Sequence, residues 1–240
     1  MKITVINGTE QRGCTFAMKE QLLASLGGGH TVTEYFLPRD CPIFCTGCKT
    51  CFYKDLSACP HAQYTVPIWE SIMDAELLVF TSPTYVFHAT AQMKALLDHY
   101  GKNWMAHSPQ APMFRKQAVI ITNAIGQGMD KTVRDIKDSL DFWGVARTYV
   151  IKQALFQPQW EQVTKKRKAA IMARCEKTAA RITSRKRVTP TVKIKALFTV
   201  MRIAQGMIDK SERRAGREHT ADYLHWQKNG WLNGKKPWRE

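Results

Sequence analysis

Apolar and polar positions along the first 155 residues follow two alternating rhythms. Lys2-Ile3-Thr4-Val5-Ile6-Asn7 is a β-prone run that stops at Asn7-Gly8. Helical spacing follows from Thr15 to about Leu26 and ends at Gly27-Gly28-Gly29. His30 to Leu37 alternates again, with β-rich Val32, Tyr35 and Phe36, and Pro38 to Pro60 is irregular. Val66 to Ala75 places Ile68, Trp69, Ile72 and Met73 on one helical face. Glu76 to Thr81 and Gln117 to Asn123 are continuous apolar runs, the pattern of strands buried on both faces. Helices are predicted over Ala91–Tyr100 and Asp130–Trp143, and a last strand over Ala146–Leu155. Strands alternating with helices predict an α/β fold, a doubly wound five-stranded parallel sheet. The loops after the first, third and fourth strands are richest in Gly, Ser, Thr, Asn and Pro. They converge on one ligand site if the strand order is 2-1-3-4-5.

The first of these loops carries the most chemistry. In Gly8-Thr9-Glu10-Gln11-Arg12-Gly13-Cys14-Thr15 a strand hands the chain to a helix N-terminus. Unpaired N–H groups and the helix dipole there favour an anion, and the glycines admit close backbone approach. An ordinary first turn of an α/β domain has the same outline, so the reading depends on the other loops.

Charge is spread unevenly. The chain has a net charge of +16, and residues 161–240 hold 21 Lys and Arg against 7 Asp and Glu, which is +14 of that total. The basic character therefore belongs to the C-terminal third. No apolar run reaches the about 18 residues of a membrane span. Met1-Lys2 leads straight into a strand without a signal-peptide pattern, so a cytoplasmic protein is expected.

Seven cysteines in such a chain point to metal or redox chemistry rather than disulfides. Cys45, Cys48, Cys51 and Cys59 spell C-x2-C-x2-C-x7-C, and Gly47 permits a tight turn between the first two. Four thiolates suit a 4Fe-4S cluster or zinc, and three in close succession with one distant favour the cluster. A loop without metal stays open as an alternative. Cys41 is a spare, and Cys14 and Cys175 read as packing residues.

Beyond residue 157 the pattern is helical and basic. Trp160 to Arg187 reads as a long helix dense in cations at Lys165-Lys166-Arg167-Lys168 and Arg185-Lys186-Arg187, and Pro190 breaks it. Ile194, Leu197, Phe198, Met201 and Ile208 then keep helical spacing among Lys193, Lys195, Arg202 and Lys210. A helix docked on the domain or a second subunit is favoured over one lying on an anionic membrane. Nothing singles out a base-reading or stacking face, so no nucleic-acid partner is expected. The division drawn is 1–157 for an α/β domain with a Cys-rich insertion at 38–60, and 158–240 for a helical extension.

Together these motifs resemble the flavodoxin-like NAD(P)H-dependent FMN reductases, and within them the iron-sulfur flavoproteins, over roughly residues 1–155. Gly8 to Thr15 is similar to the G-S-P-R-K-G-N-T loop that wraps the FMN phosphate, with Glu10, Gln11 and Cys14 departing from it. Thr81-Ser82-Pro83-Thr84-Tyr85 resembles the S-P-x-Y turn along the isoalloxazine edge, and Gln92 to Asp98 resembles the Q-x-K-x-x-x-D helix after it. Asn123 to Gly128 falls at the looser third flavin loop. Asp222 to Trp226 with Gly230-Trp231 is similar to the D-x-x-x-W…G-W ending of longer members.

The resemblance implies FMN held by Gly8, Thr9, Gln11, Arg12, Gly13, Cys14 and Thr15, by Ser82, Pro83, Thr84, Tyr85 and Val86, and by Asn123, Gly126 and Gln127. It implies NAD(P)H as co-substrate and a small-molecule or protein electron acceptor. A cluster on Cys45, Cys48, Cys51 and Cys59 near the flavin would bring in a one-electron partner such as ferredoxin. A homodimer or homotetramer is implied as well. Flavin carries the chemistry, so no catalytic acid or base is assigned; His88, His99 and Tyr85 are merely close in sequence to the flavin loop. The competing expectation is a non-enzymatic flavodoxin-like binding protein with a structural metal knot and a basic tail for an anionic partner.

Overall fold

The computed structural model describes residues 1–185 and 187–239; Lys186, part of the basic run above, lies outside the described residues. Five parallel strands, β1 (Lys2–Asn7), β2 (Thr31–Phe36), β3 (Leu77–Thr81), β4 (Gln117–Ala124) and β5 (Arg147–Ala154), form one sheet in the order β2-β1-β3-β4-β5. This is the predicted flavodoxin-like order, and its reversal point lies between β1 and β3.

The continuous apolar runs have a direct explanation. Successive strand residues face opposite sides, so a sheet covered on both sides needs apolar residues at every position. Ile6, Leu78, Phe80, Ala118 and Ile120 face α3 (Ala62–Asp74), α4 (Ala91–His99) and α5 (Met129–Trp143), packing with Ile68, Ile72, Met93, Leu97 and Trp143. Their neighbours Ile3, Val5, Leu77, Val79, Val119 and Ile121 face α1 (Cys14–Leu26) and α6 (Lys165–Thr183), packing with Met18, Leu22, Ile171, Cys175 and Ile182.

Two helices differ from the predicted ranges. α3 starts at Ala62, one turn before the predicted Val66, and carries Pro67 inside it. The long helix expected over Trp160–Arg187 is shorter: a 3-10 turn at Trp160–Gln162 precedes α6, which begins where Thr164 accepts a hydrogen bond from the Arg167 amide. A Thr cap satisfies an otherwise orphaned N–H and so sets the start. The irregular segment contains one turn of α-helix, α2 (Thr50–Tyr53), and a 3-10 turn at Leu56–Ala58.

The extension continues with α7 (Val192–Arg214) and α8 (Ala221–Lys228). It has a core of its own, in which Ile194, Phe198, Trp226, Trp231 and Trp238 close over Met105 and Phe114 of the α/β unit. Asp222 ties α8 down further, pairing with Lys102 Nζ at 3.0 Å and His107 Nδ1 at 2.8 Å. Among the described residues no helix is long and apolar enough to cross a membrane.

Candidate active site

The carboxyl ends of β1, β3 and β4 are locked together by short polar contacts. The Gly8 amide donates to the Thr81 carbonyl at 2.7 Å, and Thr90 Oγ1 donates to the Gly8 carbonyl at 2.7 Å. Asn7 Nδ2 donates to Glu34 Oε2 at 3.0 Å and to the Tyr35 carbonyl at 3.2 Å, while its Oδ1 accepts from Thr81 Oγ1 at 3.3 Å. The Thr84 amide donates to the Asn123 carbonyl at 2.9 Å, and Thr132 Oγ1 donates to Thr84 Oγ1 at 2.9 Å. These bonds draw the three loops to one edge of the sheet.

Between them lies a cavity of about 390 Å³, within the range of small-molecule sites. Thr9, Gln11, Gly13, Cys14 and Thr15 line one wall; Pro83, Thr84 and Tyr85 a second; Asn123, Ala124 and Ile125 a third. α1 starts at this wall with no side-chain cap on its N-terminus, which leaves its first amides available to an anion. Asn123 Oδ1 is buried without any hydrogen-bond partner. A buried carbonyl of that kind costs free energy until a donor reaches it. Burial, helped by the nearby Glu161 carboxylate, holds the Cys14 thiol above its ordinary value, so it brings no negative charge to the anion site.

Of the expected flavin residues, Thr9, Gln11, Gly13, Cys14, Thr15, Pro83, Thr84, Tyr85 and Asn123 line the cavity. Gly8 and Ser82 are buried behind it, where they join the loops. Arg12 is exposed and stacks its guanidinium on Phe16 at 5.3 Å, Gln127 is exposed, Gly126 is half-buried, and Val86 is 92% exposed. Ala124 and Ile125, inside the expected third loop, also line the cavity, as do Gln157 and Pro158, which were not expected. Gln157 and Pro158 reach it because the β4–β5 pairing continues past both strands, with Leu155 and Phe156 donating to the Ala124 and Ile125 carbonyls at 2.9 Å. The loop after β5 lacks the Gly and Thr signature that marked the others.

At the mouth, Tyr85 and His88 exchange backbone hydrogen bonds of 2.9 and 3.0 Å around Val86 and Phe87. Both central residues are left-handed, with φ of 49° and 67°, as a two-residue turn with primed geometry requires. A β-branched residue in that region is strained, and strain of this kind gathers at functional sites. The turn exposes Tyr85, Val86 and Phe87, and Ile125 of the third loop and Phe156, whose amide donates to the Ile125 carbonyl, are exposed as well. His88 is turned to Asp135, Nδ1 to Oδ2 3.0 Å, and His99 is buried beside His61, so neither histidine lines the cavity.

The cysteine segment gathers the expected thiols in one neighbourhood without converging them. Cys45 and Cys48 are exposed, and Cys51 and Cys59 are half-buried. Burial pushes the Cys51 thiol up, and the Cys59, Cys45 and Cys48 thiols add to that push, so all four are within electrostatic reach. Thr50 Oγ1 donates to Cys48 Sγ at 3.3 Å and holds that thiol below its ordinary value. Among the described residues, the ligand atoms that come within 4.8 Å of one another are those of Cys59, His61 and His99.

An uncapped helix N-terminus beside two threonines thus shares a cleft with an unpartnered amide carbonyl at the strand switch point, where open α/β sheets bind their ligands. The family of NADPH-dependent FMN reductases matches residues 1–161. The chain belongs to that family and is an NAD(P)H-dependent FMN oxidoreductase. The search of curated proteins found no match. Solved structures share the fold at low identity. The azoreductase of Bacillus anthracis str. Sterne superposes with a TM-score of 0.59 at 13% identity, over 77% of this chain and 100% of that one. The FMN-dependent NADH-azoreductase of B. anthracis str. Ames Ancestor, solved with FMN, gives 0.57 at 13% identity, over 76% and 99%. The NAD(P)H:quinone oxidoreductase of Methanothermobacter marburgensis gives 0.56 at 14% identity, over 76% and 97%.

Proposed function

We propose that the cleft between the β1, β3 and β4 loops holds FMN and that the protein uses NAD(P)H to reduce a small acceptor, a quinone, a nitro compound or free flavin. The observation that carries this reading is the buried, unpartnered Asn123 Oδ1 in the wall opposite the α1 N-terminus. The α1 amides with Thr9 and Thr15 take the phosphate, and Asn123 accepts from a ring N–H. Tyr85, half exposed at the mouth, covers the ring. Bound FMN supplies hydride acceptance from the nicotinamide and electron release to the acceptor. The exposed Tyr85, Val86, Phe87, Ile125 and Phe156 offer apolar surface for an acceptor, or for a second subunit in a homodimer or homotetramer.

A second reading places a 4Fe-4S cluster on Cys45, Cys48, Cys51 and Cys59, with a one-electron partner such as ferredoxin. It is supported by their spacing and by the nearness of Cys51 to the other three thiols. The packing of α6 on α1 supports drawing the flavin-binding unit through Thr183, past residue 157, with α7 and α8 as the extension proper.

Anaerobic purification followed by a visible spectrum, an FMN count and an iron count tests both readings. One FMN per chain with NAD(P)H-dependent acceptor reduction is expected; a chain that takes up no FMN overturns the first reading. About four irons per chain are expected for the cluster; a chain free of iron overturns the second and leaves the first standing.

A further inference from the structure

We propose that the outward face of α7 seats the protein on an anionic lipid surface. α7 turns Ile194, Phe198, Gln205 and Asp209 inward. At helical spacing on the opposite side run Val192, Ala196, Val200, Ile203 and Met207, in steps of four, four, three and four. All five are exposed, with Val192 at 84% and Met207 at 68%. A helix docked by one face normally shows polar residues on the other. This one carries an exposed apolar stripe there.

The charges around the stripe are sorted by sign. Lys195, Lys210, Arg213 and Arg214 are exposed on the same helix, while Lys193 is tied to the buried Asp141 at 2.6 Å and the helix's two carboxylates are engaged elsewhere. Asp209 is buried and pairs with His219 Nδ1 at 2.7 Å, and Glu212 pairs with Arg217. The outward face is therefore aliphatic and cationic together. Such a face lies in the plane of a lipid surface, its apolar side chains in the acyl boundary and its Lys and Arg among the phosphates.

Two other occupants fit less well. A second copy of this chain would set one region of charge +14 against another, cations facing cations. An acidic protein partner favours aromatic anchors in a pocket, whereas Phe198, Trp226 and Trp231 all point inward and the stripe holds only Val, Ala, Ile and Met. None of the stripe residues lines the flavin cleft, so the surface is separate from the site already described.

The test is co-sedimentation of the full-length, FMN-loaded protein with vesicles of phosphatidylcholine alone and with one third phosphatidylglycerol. Binding to the anionic vesicles only is expected, with a partition coefficient that falls at least ~10-fold when salt is raised to ~0.5 M. The variant Val200→Glu/Ile203→Glu/Met207→Glu should lose at least ~10-fold while keeping FMN content and acceptor reduction. If that variant does not fold, Lys195→Gln/Lys210→Gln/Arg214→Gln replaces it with the same expectation. No binding to anionic vesicles, or unchanged binding by the folded variants, overturns the proposal. So does equal, stripe-dependent binding to poly-L-glutamate, which would assign the face to acidic proteins. A drop in oligomer size of the triple-Glu variant by sedimentation velocity overturns it too, in favour of a second copy.

Discussion

Gly8 and Thr81 meet so closely that one atom of Thr81 both receives and restricts Gly8. The Thr81 carbonyl accepts the Gly8 amide at 2.7 Å, and a Cβ on Gly8 would lie 2.8 Å from that same oxygen and 3.0 Å from Thr90 Oγ1. Glycine is needed here for approach rather than for a left-handed backbone. Gly8→Ala should destabilise the fold by about 1–3 kcal/mol through overpacking and reduce FMN retention on a desalting column. A variant of unchanged denaturation midpoint and full FMN content would contradict this.

Asn123 separates binding from stability. Replacing it with Leu removes a buried carbonyl that has no protein partner, so the flavin-free protein should be as stable as the parent or more so. Its FMN affinity should fall by roughly 5- to 100-fold, the worth of one buried hydrogen bond. Parallel denaturation and flavin titration check both halves. Equal losses in stability and binding would assign Asn123 a structural role.

Lys116 is buried at the opposite end of the sheet and donates to the Met73 carbonyl at 2.7 Å and to the Ala75 carbonyl. Burial pulls its ammonium down to about 8, against the opposing pull of Asp74 and Glu76. The folded state therefore releases this proton before the unfolded chain does, and stability gains as pH rises from about 8 toward the ordinary lysine range. Lys116→Met should lack that rise, and its stability difference from the parent should shift by on the order of 1–2 kcal/mol between pH 7.5 and pH 10. Denaturant titrations at those two pH values are the measurement. A constant difference would show that Lys116 titrates normally.

Asp222 holds α8 by a charge balance. Burial pushes its carboxyl up, but hydrogen bonds from His107 and Lys102 prevail and hold it below the usual range. Its contribution is present above the ordinary carboxylate pKa and is lost as pH falls through the lowered folded value. Asp222→Asn should cost about 1–3 kcal/mol near neutral pH, and the gap should narrow toward pH 3. Protease cleavage should rise first within residues 216–238. Uniform cleavage along the chain would mean that α8 is not held separately by this contact.

The sequence was most informative where structure is local or two-sided. β3 and β4 are legible because burial on both faces requires unbroken apolar runs, and the loop from Gly8 to Thr15 because a strand that passes this closely to its neighbour and then starts a helix needs small and hydroxylated residues. Gln157 and Pro158 were not legible, since they enter the site through continued strand pairing rather than a loop signature. The inward tryptophans of the extension obey no short period. Trp226 Nε1 donates to the His107 carbonyl at 3.0 Å across 119 positions of sequence. In the Cys-rich segment spacing named four thiols, and folding also brings Cys59 within 4.8 Å of His61 and His99, which a linear pattern of cysteines cannot foresee.

Phe114 has a consequence for how this enzyme can be divided. Its ring touches Phe198, Trp231 and Trp238 of the extension and also fills the space that a Cβ on Gly144 would occupy, 2.6 Å from Phe114 Cζ. The residues that enter β4 and those that leave α5 are thus finished by side chains from the far end of the chain. A recombinant fragment cut where the family match stops at residue 161 would expose that aromatic surface and also lose α6 from the back of the sheet. The smallest working unit of this flavoenzyme is therefore larger than its recognisable catalytic segment, and its last tryptophans help support the strand that carries Asn123.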